Sequence, residues 1–318
     1  MLSETLLRHI SDTGEVIGLD EAVIEKDYYV TQVIHQLSDV ENEYFRLVFC
    51  GGTCLAKAHK LVKRMSEDVD FKVQLKSNEN FSKSRLKNEL KKFREQIRST
   101  LSIPDLTVTN DVARNEGRYQ QIILQYPHSN PMSAALRPDI KVEFTYSKIQ
   151  LPTNKLQIKT LIEDTLNDVI LFQPTSTNCI STDETAIEKW VGLTRRIMAI
   201  ERGYEDDDKT LIRHVYDLNA INRNRKITWD MTELAKKVIN ADAEQFKNLH
   251  PEYAMDTNSE IRQSLILLKE KQLWKERYDE FIENMVYEPE LIFAYGSALA
   301  AVVEMSDEII KQKILQDF

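Results

Sequence analysis

Only 8 of the 318 residues are glycine, against a background of about 7% in ordinary globular chains. Proline is equally sparse at 8. A chain with so few backbone breakers favours helices joined by short connections. Two of the eight glycines are nonetheless adjacent. Gly51-Gly52 directly follows the apolar run Leu47-Val48-Phe49-Cys50 and precedes Thr53. Such a pair at the end of a strand reads as a turn whose backbone must come close to something else.

The pattern around that pair is mixed. From Ile17 to Leu37 the apolar positions Val23, Ile24, Tyr28, Val30, Val33, Ile34 and Leu37 recur at helical spacing. After the glycine turn a short helix points Leu55, Ala58 and Leu61 or Val62 inward. Val69-Asp70-Phe71-Lys72-Val73 alternates with the period of a strand. Leu86, Leu90, Phe93, Ile97 and Leu101 mark an amphipathic helix from Ser82. Strands are predicted at Leu106–Thr109, Gln121–Gln125 and Ile140–Tyr146. Beyond about residue 175 the chain reads helical almost throughout, beginning at the capping pattern Ser181-Thr182-Asp183-Glu184. The expected fold class is therefore α/β (α+β): a mixed β-sheet with flanking helices over 1–175, then a helical domain over 176–318.

Composition narrows the class. Forty-two Lys+Arg against 51 Asp+Glu give a net charge of −9, with 42% hydrophobic and 29% charged residues, which is the make-up of a folded soluble chain. Charges interrupt every apolar run before the ~18–20 residues of a membrane span, and the first residues lack the basic start and apolar stretch of a signal peptide. Cys50, Cys54 and Cys179 are odd in number and have no zinc spacing. A reduced, cytoplasmic protein without membrane partners is expected, its cysteines small core residues. His59, His128 and His214 show no nucleophile pattern of a hydrolase triad.

Chemistry concentrates in Phe49-Cys50-Gly51-Gly52-Thr53 and Arg64-Met65-Ser66-Glu67-Asp68-Val69-Asp70-Phe71. Amides of a Gly-Gly turn opening a helix favour an anion, and Thr53 offers a hydroxyl to a phosphate oxygen. Asp68 and Asp70 lie two apart in a strand, so both carboxylates leave one face while Val69 and Phe71 enter the core. Paired carboxylates with open positions suit Mg²⁺, which keeps sites for water and substrate phosphates. A third carboxylate is available on Pro138-Asp139-Ile140-Lys141-Val142-Glu143-Phe144. Its outward set is Asp139, Lys141 and Glu143; Glu143, deeper in the strand, is preferred and Asp139 held in reserve.

These blocks, with Glu25-Lys26-Asp27-Tyr28-Tyr29-Val30, Glu188-Lys189-Trp190 and Arg213-His214-Val215-Tyr216-Asp217-Leu218, resemble the AbiE-type abortive-infection toxin family. That family sits within the polymerase-β-like nucleotidyltransferases. The resemblance spans about residues 20–220 with the blocks in family order. It implies a nucleotidyltransferase fold and a toxin of a toxin–antitoxin pair that transfers a nucleoside monophosphate from an NTP, in some members onto tRNA. A cognate antitoxin, such as a DNA-binding regulator encoded nearby, is implied as a partner. By resemblance Gly51, Gly52 and Thr53 form the phosphate-binding turn, Asp68 and Asp70 the metal pair, and Arg64 and Ser66 complete the nucleotide-binding block. Lys189 falls on a catalytic lysine and Asp217 on a later aspartate. Glu143 would join the aspartates on two Mg²⁺ ions.

Lys189 has an argument of its own. It shares a helix face with Thr185, Gly192 and Arg196, where Gly192 is expected to admit another element. A lysine can hold a triphosphate as a point charge without the fork geometry of arginine. The run Glu205-Asp206-Asp207-Asp208 is expected to be a solvated loop. Residues 55–100 carry 13 Lys+Arg against 6 Asp+Glu, a net +7 within the acidic whole. In the helix from Ser82, Lys87, Lys91, Arg94 and Arg98 form a basic stripe, which points to RNA phosphates. Two other classes share these residues: an enzyme nucleotidylating a small molecule or protein, and a non-catalytic nucleotide- or RNA-binding protein.

Overall fold

In the computed structural model, which describes residues 2–77, 79–131, 136–224 and 229–314, the glycine pair marks a strand-to-helix junction at the centre of a sheet. Helix α1 (Glu4–Ile17) is capped by the Ser3 hydroxyl and ends at Gly18, whose φ of +68° closes it. Helix α2 (Glu21–Leu37) starts afresh with the Asp20 side chain accepting from the Ala22 amide. The helix expected from about Ile17 is α2 and starts at Glu21, because a left-handed glycine ends α1 and an aspartate cap begins α2. Then follow β1 (Phe45–Cys50), α3 (Gly51–Lys57), β2 (Asp68–Leu75) and α4 (Lys83–Thr100). Strands β3 (Thr107–Arg114), β4 (Tyr119–Gln125), β5 (Asp139–Tyr146) and β6 (Asn154–Gln157) lead to α5 (Leu161–Thr165) and β7 (Ser176–Cys179).

The seven strands form one sheet in the order β3-β4-β5-β2-β1-β7-β6. Strands β2 and β5 pair in parallel, as do β1 and β7; the remaining pairs are antiparallel. One sheet face is apolar, as the alternation of β2, β4 and β5 demands. Val69, Phe71, Ile122, Leu124, Ile140, Val142 and Phe144 pack with Tyr29, Val33 and Ile34 of α2 and Leu86, Leu90, Phe93 and Ile97 of α4. Each such side chain contributes about 1.5–3 kcal/mol when taken out of water. The other face of β2 and β5 is left polar and carries the carboxylates. Strand β3 outruns its expected end at Thr109. It is an edge strand with a register shift between Val108 and Asn110, so its sequence carries little of the apolar alternation of a buried strand.

Two compact units divide the chain, Met1–Ser181 and Thr182–Phe318. The first reaches beyond residue 175 because β7 joins its sheet, Cys179 pairing with Phe49 of β1. The second holds α6 (Thr182–Glu201), α7 (Arg213–Asn224), α8 (Trp229–Phe246), α9 (Pro251–Met255), α10 (Thr257–Glu270), α11 (Gln272–Met285) and α12 (Tyr295–Ile314). Its centre is Trp190, fully buried, whose indole N–H donates to the Ser306 hydroxyl at 2.6 Å. Among the described residues no helix is long and apolar enough to cross a membrane.

The acidic run after α6 is a loop with Asp206 and Asp207 exposed, as expected, and Glu205, Asp207 and Asp208 in it are also paired. Glu205 accepts from Arg195 at 2.6 Å and from Arg196 at 3.0 Å, Asp208 pairs with Arg196, and Asp207 pairs with Arg277 of α11. Burial works to raise the Glu205 carboxyl, and the two arginines overcome it and hold it below the ordinary range. A charge run of this kind joins helices through partners far away in sequence, which its composition does not reveal. All three cysteines are free thiols, with Cys54 and Cys179 buried.

Candidate active site

Strand β1 delivers Cys50 opposite Asp70 of β2, so the chain turns at Gly51 directly beside that carboxylate. Gly51 has a φ of +78°, and a Cβ built on it would stand 2.1 Å from Asp70 Oδ2. Only glycine serves both needs at once. Gly52 is constrained from another side, since a Cβ there would meet Arg64 Nη2 at 2.4 Å and Ser66 Oγ at 3.1 Å. Arg64 is buried and donates from Nη1 to the Met65 carbonyl. The turn is therefore moulded around Asp70 on one side and Arg64 on the other.

Thr53 is buried. Its hydroxyl bonds to the Asp68 carbonyl and shares a 2.8 Å hydrogen bond with Ser66 Oγ. An oxygen so engaged fixes the start of β2 against α3. Ser66 is drawn into the same link.

The parallel register of β2 and β5 sets Asp68 beside Lys141 and Asp70 beside Glu143. All four side chains leave the polar face, because their neighbours Val69, Phe71, Val142 and Phe144 are buried. Asp139 lies two residues before Lys141, beyond the start of β2, while Glu143 is level with Asp70. Glu143 accepts from the Tyr119 hydroxyl and pairs with Lys141 Nζ at 3.1 Å. Burial works to raise its carboxyl, but Tyr119 and Lys141 hold it below the ordinary range. Asp68 accepts from both Nη atoms of Arg137, at 2.9 and 3.3 Å, and lies 3.7 Å from Lys141 Nζ.

Among the described residues no three His, Cys, Asp or Glu side chains gather as a ready metal cage. Arg137 and Lys141 sit between the acids. The donors still fit a hard divalent ion: they are carboxylate oxygens on one face. The Lys141 ammonium, shared between Asp68 and Glu143, is a cation standing where those two carboxylates converge.

In the helical unit Lys189 of α6 pairs with Asp217 of α7 at 3.0 Å, with Asp217 fully buried and Lys189 12% exposed. The long gap between them in sequence is bridged by helix packing. His214, one turn before Asp217, hydrogen-bonds the Lys189 backbone. Burial and the Lys189 charge, against the pull of Asp217, push its imidazole down to about 3. It is neutral at ordinary pH and braces the Lys189 backbone. Among the described residues nothing approaches Gly192 closely, since a Cβ there would meet nothing within 4 Å. Arg196 on the same face is taken by Glu205 and Asp208.

The basic stripe of α4 is uneven. Lys87 and Lys91 are exposed, but Arg94 is half-buried and donates to the Gly117 carbonyl at 2.8 Å. Arg98 pairs with Asp111 of β3. The two arginines fasten α4 to the β3–β4 hairpin.

Sequence reasoning missed what holds this site. Three consecutive charges of α2 each fix a different segment. Glu25 accepts from the Ser129 and Asn130 amides. Lys26 pairs with Glu67 at 2.5 Å. Asp27 takes Lys57 of α3 and the Leu161 amide. The available signal was three charges in a row on a helix otherwise read as core.

Adjacent carboxylates on a mixed sheet beside a glycine turn suit phosphoryl or nucleotidyl transfer. The model of the family described as nucleotidyl transferase AbiEii toxin, type IV toxin–antitoxin system, matches residues 39–305. The chain belongs to this family and is a nucleotidyltransferase of its toxin class. Among solved structures it is similar to MenT4, a nucleotidyltransferase toxin from Mycobacterium tuberculosis H37Rv. The identity is 16%, over 95% of this chain and 99% of that one, with a TM-score of 0.41. No curated protein matches it.

The glycine turn yields a direct test. Gly51→Ala and Gly18→Ala both place a side chain at positive φ, at a cost of about 1–2 kcal/mol, but a Cβ at Gly18 meets nothing within 4 Å. Thermal melts are expected to fall in both variants, while nucleotide transfer falls only in Gly51→Ala, where Asp70 must move. Equal transfer in the two would detach the turn from the chemistry.

Proposed function

We propose that this nucleotidyltransferase moves a nucleoside monophosphate from an NTP to an RNA acceptor in the cytoplasm, with tRNA the first acceptor to try and Mg²⁺ as its cofactor. The observation that carries the reading is the register that sets Asp70 beside Glu143 at the glycine turn. Asp68, Asp70 and Glu143 would hold Mg²⁺, two ions in the full complement. Bound there, the metal would lower the pKa of an attacking hydroxyl and offset the charge of the leaving pyrophosphate. The protein's own residues do the rest. The Gly51-Gly52 amides receive the phosphates, Arg64 and Ser66 keep the turn in shape, and Thr53 fixes Asp68 through its carbonyl. Lys189, oriented by Asp217, is the cation we assign to the transfer reaction. Attack at the α-phosphate forms the new phosphodiester and breaks the α–β bond, with pyrophosphate leaving. Membership of a toxin–antitoxin family supports a cognate antitoxin, which we assign to a DNA-binding regulator encoded nearby.

RNA is favoured by the two stripe residues that remain free for it. Lys87 and Lys91 are exposed on α4, with Lys91 only 3.9 Å from Glu95 in a loose surface pair. The test is incorporation from α-labelled NTP into purified tRNA, total RNA, protein and a small-molecule extract. Lys87→Glu/Lys91→Glu is expected to weaken RNA labelling and to flatten its log–log salt dependence by about 1–2, as loss of two phosphate contacts requires. Binding of the Mg²⁺-nucleotide without RNA would be unchanged. Label entering protein or a small molecule instead of RNA would give the acceptor to the rival enzyme class. An absence of pyrophosphate release would leave a binding protein.

A further inference from the structure

The side chain that touches the Asp68 carboxylate most closely, at 2.9 Å, is a cation belonging to none of the expected site sets. Arg137 places Nη1 at 2.9 Å from Asp68 Oδ1 and Nη2 at 3.3 Å from Oδ2, so both carboxylate oxygens are engaged by one fork. Its backbone is pinned at both polar groups. The Arg137 N–H donates to Glu67 Oε2 at 2.9 Å, and its carbonyl accepts from Lys26 Nζ at 2.8 Å. Lys26 and Glu67 are themselves joined at 2.5 Å, and both are buried. A buried ion pair is costly to desolvate and contributes little net stability, so its position calls for another account. Here it grips the backbone of a single arginine, and that arginine covers Asp68.

We propose that Arg137 is a further residue of the site, a built-in counter-cation that competes with divalent metal for Asp68, and that the Lys26–Glu67 pair is its positioning device. This rests on the reading of Asp68 as a metal ligand. While the guanidinium holds both oxygens it takes a lone pair from each and sets a positive charge against an incoming metal ion. Metal binding is therefore favoured when Arg137 lets go, and an arriving triphosphate offers the released fork an anionic partner of matching geometry. The arrangement keeps Asp68 neutralised until nucleotide arrives and makes metal binding without nucleotide weak. Arg137 is 41% exposed at its side chain, so it has room to swing from one partner to the other.

The test is a titration of the full-length protein with Mn²⁺ alone, free ion followed by electron paramagnetic resonance, and folding checked by circular dichroism. Arg137→Gln is expected to bind Mn²⁺ about tenfold more tightly than the wild type, the scale of an ordinary coupling free energy. Asp68→Asn/Arg137→Gln is expected to lose that gain. Lys26→Met, which frees the Arg137 carbonyl, should shift affinity in the same direction as Arg137→Gln. A merely structural residue would not tighten metal binding when removed. Unchanged or weaker Mn²⁺ binding in Arg137→Gln, with Asp68→Asn still weakening it, would overturn the competition and leave the metal reading standing. Wild-type affinity in a folded Lys26→Met would overturn the positioning role. Mn²⁺ binding indifferent to Asp68→Asn would bring down the metal reading and this inference together.

Discussion

Asp68→Asn and Asp70→Asn are each expected to reduce nucleotide transfer by about three orders of magnitude or more while leaving the fold intact. The scale follows from the several kcal/mol that a correctly held metal contributes to charge stabilisation, each ~1.4 kcal/mol being tenfold in rate. Retention of the fold follows from the strand geometry. Both carboxylates leave the face opposite Val69 and Phe71, and β2 keeps its pairing with β1 and β5 through the backbone. The two variants differ in what they disturb. Asp68→Asn removes the anion beneath Arg137, which is exposed enough to take water instead. Asp70→Asn changes a group beneath the Gly51 turn, where there is little room for any rearrangement. Transfer is measured with labelled NTP and folding by thermal melt and circular dichroism. Near-wild-type transfer in either folded variant would remove that aspartate from the chemistry.

The parts of this fold that were legible in the sequence are those in which local pattern and tertiary role agree. Helix α4 has an apolar stripe that begins behind its capping Ser82, and the stripe is what is buried. Strand β2 alternates because one of its faces meets the core and the other holds aspartates. Glycine scarcity made the one Gly-Gly pair conspicuous, and a Cβ clash with Asp70 explains it. Strands β6 and β7 were not legible. They are four residues each and take their place from pairing with each other and with β1, a long-range fact with no periodic signature. Strand β3 lay at an edge, where alternation fades.

The charged residues divide in the same way. Asp68, Asp70 and Glu143 follow from spacing, because a strand's period decides which face a side chain leaves. Arg137 and the Lys26–Glu67 pair do not, because each contact joins residues tens of positions apart. The basic stripe on α4 was legible as a stripe, but spacing alone could not separate Lys87 and Lys91, which face water, from Arg94, which is committed to Gly117. Helical spacing also suggested that Gly192 admits a neighbour, and the space beside it is open. Pattern places a charge on a face; only the fold tells whether that charge is already spent.

Lys189 is where that distinction has the largest consequence. Its ammonium is 3.0 Å from a fully buried Asp217, so Lys189→Ala breaks an ion pair as well as removing a candidate catalytic cation. Breaking a buried pair from one side costs about 3–5 kcal/mol, and a drop in melting temperature is expected. Transfer is expected to fall by several orders of magnitude beyond that, because a triphosphate loses a fixed charge at a site where such charges contribute most. The two effects separate when rates are measured below the onset of unfolding and expressed per folded molecule. Lys189→Arg sharpens the separation. Arginine restores a positive charge near Asp217, but its planar fork cannot reproduce a compact ammonium, so stability should recover further than activity. Asp217→Asn should act from the other side, keeping the charge but loosening its aim. If folded Lys189→Ala transfers at the wild-type rate, or if Lys189→Arg restores stability and activity in step, the lysine is a helix-pairing residue. The catalytic charge must then be sought elsewhere in the chain.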